Sequence, residues 1–157
     1  MKIAVVTLAL ASGLIAGGFF AFSTFVMRAL GRVPPAEGIR AMQAINVVVV
    51  PSAFVVLLIA TALACVGIGI AALVRRNDPG AMLVLAASVV YFAGTFLVTM
   101  LANVPLNDAL AVVDANSTQG AQVWADYLVR WTMWNHVRGT AALVSSALFV
   151  LARVSMS

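Results

Sequence analysis

The chain has 157 residues, of which 64% are hydrophobic and only 9% are charged, with a formal net charge of +4. Soluble domains are about 45–50% apolar and about 25% charged, so this chain lacks the polar residues that a water-facing surface needs. The composition excludes an ordinary cytosolic enzyme, a disordered regulator and a secreted domain. The longest basic run is Arg75 and Arg76, which is too short for a nucleic-acid-binding patch.

The cysteine content narrows the chemistry further. Cys65 is the single cysteine. A single cysteine excludes an intrachain disulfide, paired-cysteine metal motifs, covalent haem attachment and cysteine-ligated iron–sulfur clusters. The length predicts one domain, residues 1–157.

Four long apolar segments run along the chain. Each is long enough to cross a bilayer, which takes about 20 apolar residues in a helix. They span residues 3–27, 45–74, 81–102 and about 133–152. The first exceeds the apolar core of a signal peptide, about 7–15 residues, so we expect it to be retained. The sequence therefore predicts an all-α fold, an integral membrane four-helix bundle.

The connections between the spans are unequal. Residues 75–80, which end in Pro79 and Gly80, predict a tight turn. Residues 28–44 and 103–132 are longer links. A helix start is predicted at residues 116–119, and after it aromatic, apolar and polar residues recur every three or four positions. We therefore expect an extra amphipathic helical segment that runs into the fourth span.

Alternating spans place both long links on one side of the membrane and the termini on the other. The termini side carries four Lys and Arg residues and the long-link side five, a difference that does not decide orientation. Because Arg28 and Arg138 are candidate site residues, we expect the termini to be cytoplasmic. Continuous apolar helices favour a bacterial inner membrane over an outer-membrane barrel.

The fourth span carries the polar residues whose burial in the hydrocarbon layer costs the most free energy. Counting about 20 residues back from Ala152 places Asn135, His136 and Arg138 inside the hydrocarbon edge. An arginine at the bilayer centre costs roughly 3 kcal/mol and usually faces the bundle or a wet cavity. Trp131, Asn135 and Arg138 share one helical face. The alternative is an interfacial belt, in which Trp131 and Trp134 anchor and Arg138 extends to the headgroups.

A polar stripe marks the third span, where residues spaced by four predict one face: Tyr91, Thr95, Thr99, Asn103 and Asn107. For the threonines, hydrogen bonding between helices is the favoured interpretation. Pro105 is expected to break the helix between the two asparagines and to concentrate free backbone groups there.

The first two spans bring polar groups to the same end. Asn46 precedes Pro51, which exposes the carbonyl of Val47. Arg28 ends the first span below an aromatic run that includes Phe22. Polar residues of all four spans are thus expected at the long-link end, where phenylalanines and tryptophans could enclose an apolar planar ligand.

This residue set favours acid–base chemistry over metal chemistry. His136 is the only histidine and could act as a general base. Arg138 or the neighbouring amides could stabilise an oxyanion. One histidine, one cysteine and scattered aspartates do not supply the ligands of a metal site, so none is predicted.

Four stretches carry a family resemblance: FFAFSTFVMRAL (19–30), PPAEGIRAMQAIN (34–46), NVPLNDAL (103–110) and RWTMWNHVRG (130–139). Together and in this order they resemble the anthrone-oxygenase-like family of small four-span membrane proteins. Fungal members oxidise an anthrone methylene to a quinone carbonyl with dioxygen, without flavin or metal, and most bacterial members have no known function. The resemblance implies the same activity here, with dioxygen as co-substrate and no cofactor.

The resemblance also implies roles for the site residues. His136 would be the base, and Arg138 with Asn135 or Asn103 would hold the enolate or phenolate oxygen. The remaining expected substrate contacts come from both long links and from the span ends: Asn107, Asn46, Arg28, Trp131, Trp134 and Phe22.

Two other functions fit the same residues. A non-enzymatic membrane module could bind a lipid, a quinone or a partner helix in the same cavity, alone or as a homo-oligomer. A transporter or channel subunit is the weakest alternative, because the polar residues of the third span end at Ser88 and Tyr91 and no polar path crosses the termini-side half.

Overall fold

A computed structural model describes residues 1–156, which form five helices. They are α1 (Lys2–Leu30), α2 (Pro35–Val49), α3 (Ala53–Val74), α4 (Ala81–Ala111) and α5 (Thr118–Ser155). No β-strand occurs within residues 1–156. Four of the helices, α1, α3, α4 and α5, are long and apolar enough to span a membrane. The predicted all-α membrane bundle is therefore confirmed.

The fourth spanning helix is much longer than a bilayer requires. α5 has 38 residues and so measures about 57 Å, against a hydrocarbon core of about 30 Å. It begins where the sequence predicted, because the hydroxyl of Ser117 accepts a hydrogen bond from the Gly120 amide at 2.9 Å and caps the first turn. The N-terminal part of α5 is the predicted extra segment, continuous with the span.

The second apolar segment is divided. α2 ends at Val49, residues 50–52 form a turn, and α3 begins at Ala53. Pro51 causes the break, because its ring clashes with the carbonyl four residues earlier. Residues 45–49 thus belong to α2, and the spanning helix starts later than the expected position 45.

Pro105 does not break α4, so that prediction was wrong. The helix continues from Ala81 to Ala111. Pro105 lies at the start of the α-helical segment Val104–Ala111, directly after the π-helical turn Thr99–Asn103. In a membrane helix a local π-helical turn can accommodate a proline and re-satisfy the backbone groups that it frees.

The helices enclose two apolar cores. α1 packs along α5, and α3 packs along α4, which in turn contacts α5. One core fills the termini-side half of the bundle with mostly aliphatic side chains. The second lies at the long-link end, where α2 covers it, and is rich in aromatic residues and methionine: Met27, Ile39, Met42, Leu110, Trp124, Tyr127 and Trp131.

Three π-helical segments interrupt the spanning helices α1 and α4. One lies in α1 (Phe22–Val26) and two lie in α4 (Val90–Leu97 and Thr99–Asn103). In an α-helix, residues four apart drift by about 40° per step around the axis. The wider i→i+5 turns reduce this drift. They keep the predicted polar stripe of α4 facing the bundle, with Tyr91, Thr95 and Asn103 fully buried.

Candidate functional site

Asn135 is the centre of a buried hydrogen-bond network that joins α1 to α5. Its side chain is fully buried. Its Nδ2 donates to the Phe19 carbonyl at 2.7 Å and to the Ser23 Oγ at 2.6 Å. Its Oδ1 accepts from Arg138 Nε at 2.9 Å. These three hydrogen bonds are short, so the amide is rigidly held.

Arg138 lies inside the bundle with two aromatic rings against its guanidinium group. Its side chain is only 7% exposed. The guanidinium carbon is 4.1 Å from the centre of the Phe19 ring and 5.0 Å from that of Trp131. The Nη1 group donates a long hydrogen bond, 3.4 Å, to Thr99 Oγ1. These contacts hold the guanidinium in a fixed plane between α1, α4 and α5.

The charge of Arg138 has no carboxylate partner. Within residues 1–156 the one ion pair joins Arg130 and Asp126 on the exposed surface of α5, at 3.2 Å. The Nη2 group of Arg138 makes no hydrogen bond to any described residue. A buried cation without a counter-ion is costly in a low-dielectric interior. The arrangement is suited to binding an anion.

The π-helical segments supply much of this network. Ser23 lies in the π-helical turn of α1, and Thr95 and Thr99 lie in those of α4. Thr95 donates to the carbonyl of Arg138 at 3.1 Å, which is the expected bond between helices. Thr99 instead donates within its own helix, to the Thr95 carbonyl at 2.7 Å, and accepts from the guanidinium.

Asn103 and Asn107 contact the aromatic residues of α5. Asn107 Oδ1 accepts from both the Tyr127 hydroxyl and Trp131 Nε1, each at 2.8 Å. Asn103 Nδ2 donates to the Trp131 carbonyl at 3.2 Å, while its buried Oδ1 has no partner within residues 1–156. The side chain of Asn46 lies beside the Tyr127 hydroxyl, and its Nδ2 is buried and unpartnered among the same residues.

An aromatic column runs along α5 at this level. Trp124 stacks on Tyr127 with ring centres 5.6 Å apart, and Tyr127 stacks on Trp131 at 6.0 Å. Phe22 of α1 leans on Trp131 at 5.9 Å. The ring of Trp131, itself a predicted site residue, is therefore surrounded by three others: Phe22, Asn107 and Arg138.

His136 lies on a different face of α5 from Arg138. Two residues of α-helix separate them by about 200° around the axis. The imidazole is exposed and makes no hydrogen bond to the described residues. It lines a groove of about 260 Å³ between α1 and α5, together with Phe19, Ser23 and Asn135. Asn135 thus stands between His136 in the groove and Arg138 in the bundle.

Small residues create this groove. Gly13, Ala16, Gly17 and Gly139 line it, and a methyl group added to Gly17 would meet no atom within 4 Å. At Gly17 the Gly13-x-x-x-Gly17 pattern therefore leaves open space beside α5. Phe20, which is largely exposed, flanks the opening.

Two predicted residues lie apart from this network. Arg28 is exposed at the end of α1 and forms no ion pair or hydrogen bond with the described residues. Trp134 is half-buried, and its indole N–H has no acceptor among residues 1–156.

Sequence reasoning missed Ser23 and Tyr127, and it treated Thr99 only as a contact between helices. Tyr127 lies four residues before Trp131 and shares its face, a spacing that could have indicated it. Nothing in the sequence marks the π-helical turn that positions Ser23.

The site offers acid–base and electrostatic chemistry. It combines an imidazole, an amide, a hydroxyl and an unpaired guanidinium with aromatic walls. No group of three or more metal-ligating side chains occurs within the described residues.

Comparison with known proteins identifies one matching family. No curated protein and no solved structure matches the chain. A family model described as anthrone oxygenase matches residues 39–148, more than two thirds of the chain. The match includes Asn46, Asn103, Asn107 and the Asn135–Arg138 segment. The chain therefore belongs to the anthrone oxygenase family.

Proposed function

We propose that this integral membrane protein is an oxygenase that uses dioxygen to oxidise an anthrone-like or polycyclic phenolic substrate, without flavin or metal. Family membership supports the reaction class. The substrate would be an apolar aromatic molecule that reaches the site from the bilayer. Three further properties stay predictions: location in the bacterial inner membrane, a cytoplasmic position of the termini, and assembly into a homo-oligomer.

The observation that carries this proposal is the unpaired charge of Arg138. A guanidinium that is 7% exposed, stacked on aromatic rings and without a carboxylate partner in residues 1–156 favours an anionic, planar ligand. The enolate of an anthrone has both properties. Its developing charge would be stabilised in a site of low dielectric, where electrostatic interactions are strong.

The reaction follows from the acidity of the substrate. A base removes one methylene proton, and the resulting enolate is electron-rich. Electron transfer to dioxygen and recombination form a carbon–oxygen bond at the former methylene carbon, giving a hydroperoxide once a proton is returned. Loss of the remaining C–H proton and cleavage of the O–O bond then release water and the quinone. One anthrone and one dioxygen thus give one quinone and one water.

The protein's own residues would accelerate the first step. His136, free of hydrogen bonds to described residues in the groove, would accept the methylene proton. Arg138 would stabilise the enolate oxygen with Asn135 as intermediary, since the imidazole of His136 and the guanidinium of Arg138 lie on different faces of α5. Asn103, Asn107, Asn46 and the aromatic residues Phe22, Trp131 and Trp134 would shape the surroundings, and Arg28 would contribute at the membrane edge.

Oxygen consumption tests the proposal. Purified protein in lipid nanodiscs is mixed with anthrone, with and without EDTA, and oxygen uptake is recorded together with quinone absorbance. We expect uptake well above that of empty nanodiscs, one quinone per dioxygen and no effect of the chelator. Uptake no faster than that of empty nanodiscs would overturn the oxygenase assignment. Uptake abolished by EDTA would overturn its metal-free form.

A further inference from the structure

Ser23 occupies a junction between the groove and the buried network. It lies in the π-helical turn Phe22–Val26 of α1 and is 4% exposed. It lines the groove that also contains His136. Its Oγ lies 2.6 Å from Asn135 Nδ2. Ser23 is therefore the point at which the network around Arg138 reaches the groove wall.

The direction of the hydrogen bonds is fixed by the partners of Asn135. The guanidinium of Arg138 can only donate, so the atom facing it must be the amide oxygen. The Phe19 carbonyl can only accept, so the atom facing it must be the amide nitrogen. The same nitrogen faces Ser23, which must therefore accept. The Ser23 hydroxyl hydrogen is left for another acceptor.

That hydrogen has no acceptor within residues 1–156. Helical serines and threonines commonly donate to the carbonyl four residues earlier. Thr24, the neighbour of Ser23, does so to the Phe20 carbonyl at 2.7 Å. Ser23 makes no such bond to the carbonyl four residues earlier, that of Phe19, which accepts from Asn135. Ser23 thus has an unused donor at a wall of the groove.

We propose that Ser23 donates a hydrogen bond to the substrate oxygen in the groove and thereby transmits the positive charge of Arg138 to it. The relay runs from Arg138 Nε–H to Asn135 Oδ1, from Asn135 Nδ2–H to Ser23 Oγ, and from Ser23 Oγ–H to the ligand. Each bond polarises the next, which strengthens the last donor. The identity of the ligand as an enolate or phenolate rests on the proposed function.

This relay accounts for the separation of His136 from Arg138. His136 and Ser23 both line the groove, so one planar ligand can meet the base and the donor together. Arg138 does not line the groove, and its contribution arrives through Asn135. Every hydrogen stays on its own donor, so the relay changes no proton balance in the reaction.

A binding experiment tests Ser23 without requiring turnover. The probes are 2-hydroxyanthraquinone, at an alkaline pH where its phenol is ionised, and the neutral ether 2-methoxyanthraquinone. Calorimetry on nanodiscs gives the preference for the phenolate as a ratio of dissociation constants. The variants are Ser23→Ala and Ser23→Cys, since the thiol keeps the volume but donates weakly. Ser146→Ala is the matched control, because Ser146 also joins α5 to α1, through the Ala9 carbonyl at 2.7 Å, but does not line the groove.

We expect the wild-type protein and Ser146→Ala to prefer the phenolate by roughly tenfold or more, the range of a hydrogen bond to a charged group. Both Ser23 variants should lose most of this preference while still binding the ether. Equal preference in the wild-type protein and the Ser23→Cys variant would overturn the relay even if the protein oxidises anthrones. A Ser23-dependent preference without oxygen uptake would leave the relay standing and overturn the proposed function.

Discussion

Phe19 contacts both Arg138 and Asn135 of α5, the first with its ring and the second with its backbone carbonyl. The face of its ring lies 4.1 Å from the guanidinium carbon of Arg138, and its carbonyl accepts the Asn135 amide at 2.7 Å. A desolvated cation–π contact is worth about 2 kcal/mol, which offsets part of the cost of burying the charge. The contact holds Arg138 without neutralising it. The charge therefore remains available to a ligand.

Replacing His136 should affect catalysis but not folding. The His136→Gln variant removes the proposed base while keeping a polar side chain on an exposed surface. We expect anthrone-dependent oxygen uptake to fall by about 10²–10⁴-fold, the usual contribution of general-base catalysis. The melting temperature in detergent should stay unchanged, since the imidazole makes no hydrogen bond to described residues. A variant with full activity would exclude His136 as the base.

Filling the groove should block the substrate. Gly17 lines the groove, and an added side chain would meet no neighbouring atom at its Cβ. The Gly17→Leu variant should therefore fold normally and lose at least tenfold in kcat/KM, because the leucine would occupy the space of the ligand. Leu10→Ala, an exposed position on α1 outside the groove, is the control. Unchanged kinetics for Gly17→Leu would show that substrate binds elsewhere.

Asn107 is expected to stabilise the aromatic column. The Asn107→Leu variant would leave the Tyr127 hydroxyl and the Trp131 indole without their shared acceptor, at a cost of about 1–3 kcal/mol for each buried donor. Thermal unfolding in detergent should show a clear drop in melting temperature. The Asn107→Asp variant keeps the acceptor and should lose much less. If both variants melted like the wild-type protein, these hydrogen bonds would have no stabilising role.

The fold was largely predictable from the sequence. The four spans, the helix start at Ser117 and the turn before Ala81 follow from composition and local signals. Gly80, with φ of +79°, adopts the left-handed conformation that ends this turn. The helix break at Pro51 was not predicted, because apolar residues continue on both sides of it. Continuity through Pro105 was missed because a change of helical pitch leaves no mark in the sequence.

The site was predictable only in outline. The free-energy cost of burying Asn135 and Arg138 identified both as candidate site residues, since polar groups inside a membrane usually have a partner or a function. Their partners could not be read from spacing, because the π-helical turns rotate Ser23 and Thr99 relative to an ideal helix. The separate faces of His136 and Arg138 follow from helical geometry. The groove that His136 lines could not be predicted in this way, because it depends on how α1 packs against α5.

The Arg138→Met variant provides the most direct measurement of the central claim. Methionine replaces the buried charge with an apolar side chain but leaves the buried Asn135 oxygen without its donor, at a cost of about 1–3 kcal/mol. The melting temperature is therefore measured to verify that the variant is folded. Quinone formation from anthrone is then followed in nanodiscs under air. We expect the rate above the empty-nanodisc background to fall at least 100-fold, as when a donor to a developing oxyanion is removed. A folded variant that retained the wild-type rate would contradict the claim that this unpaired charge stabilises the enolate.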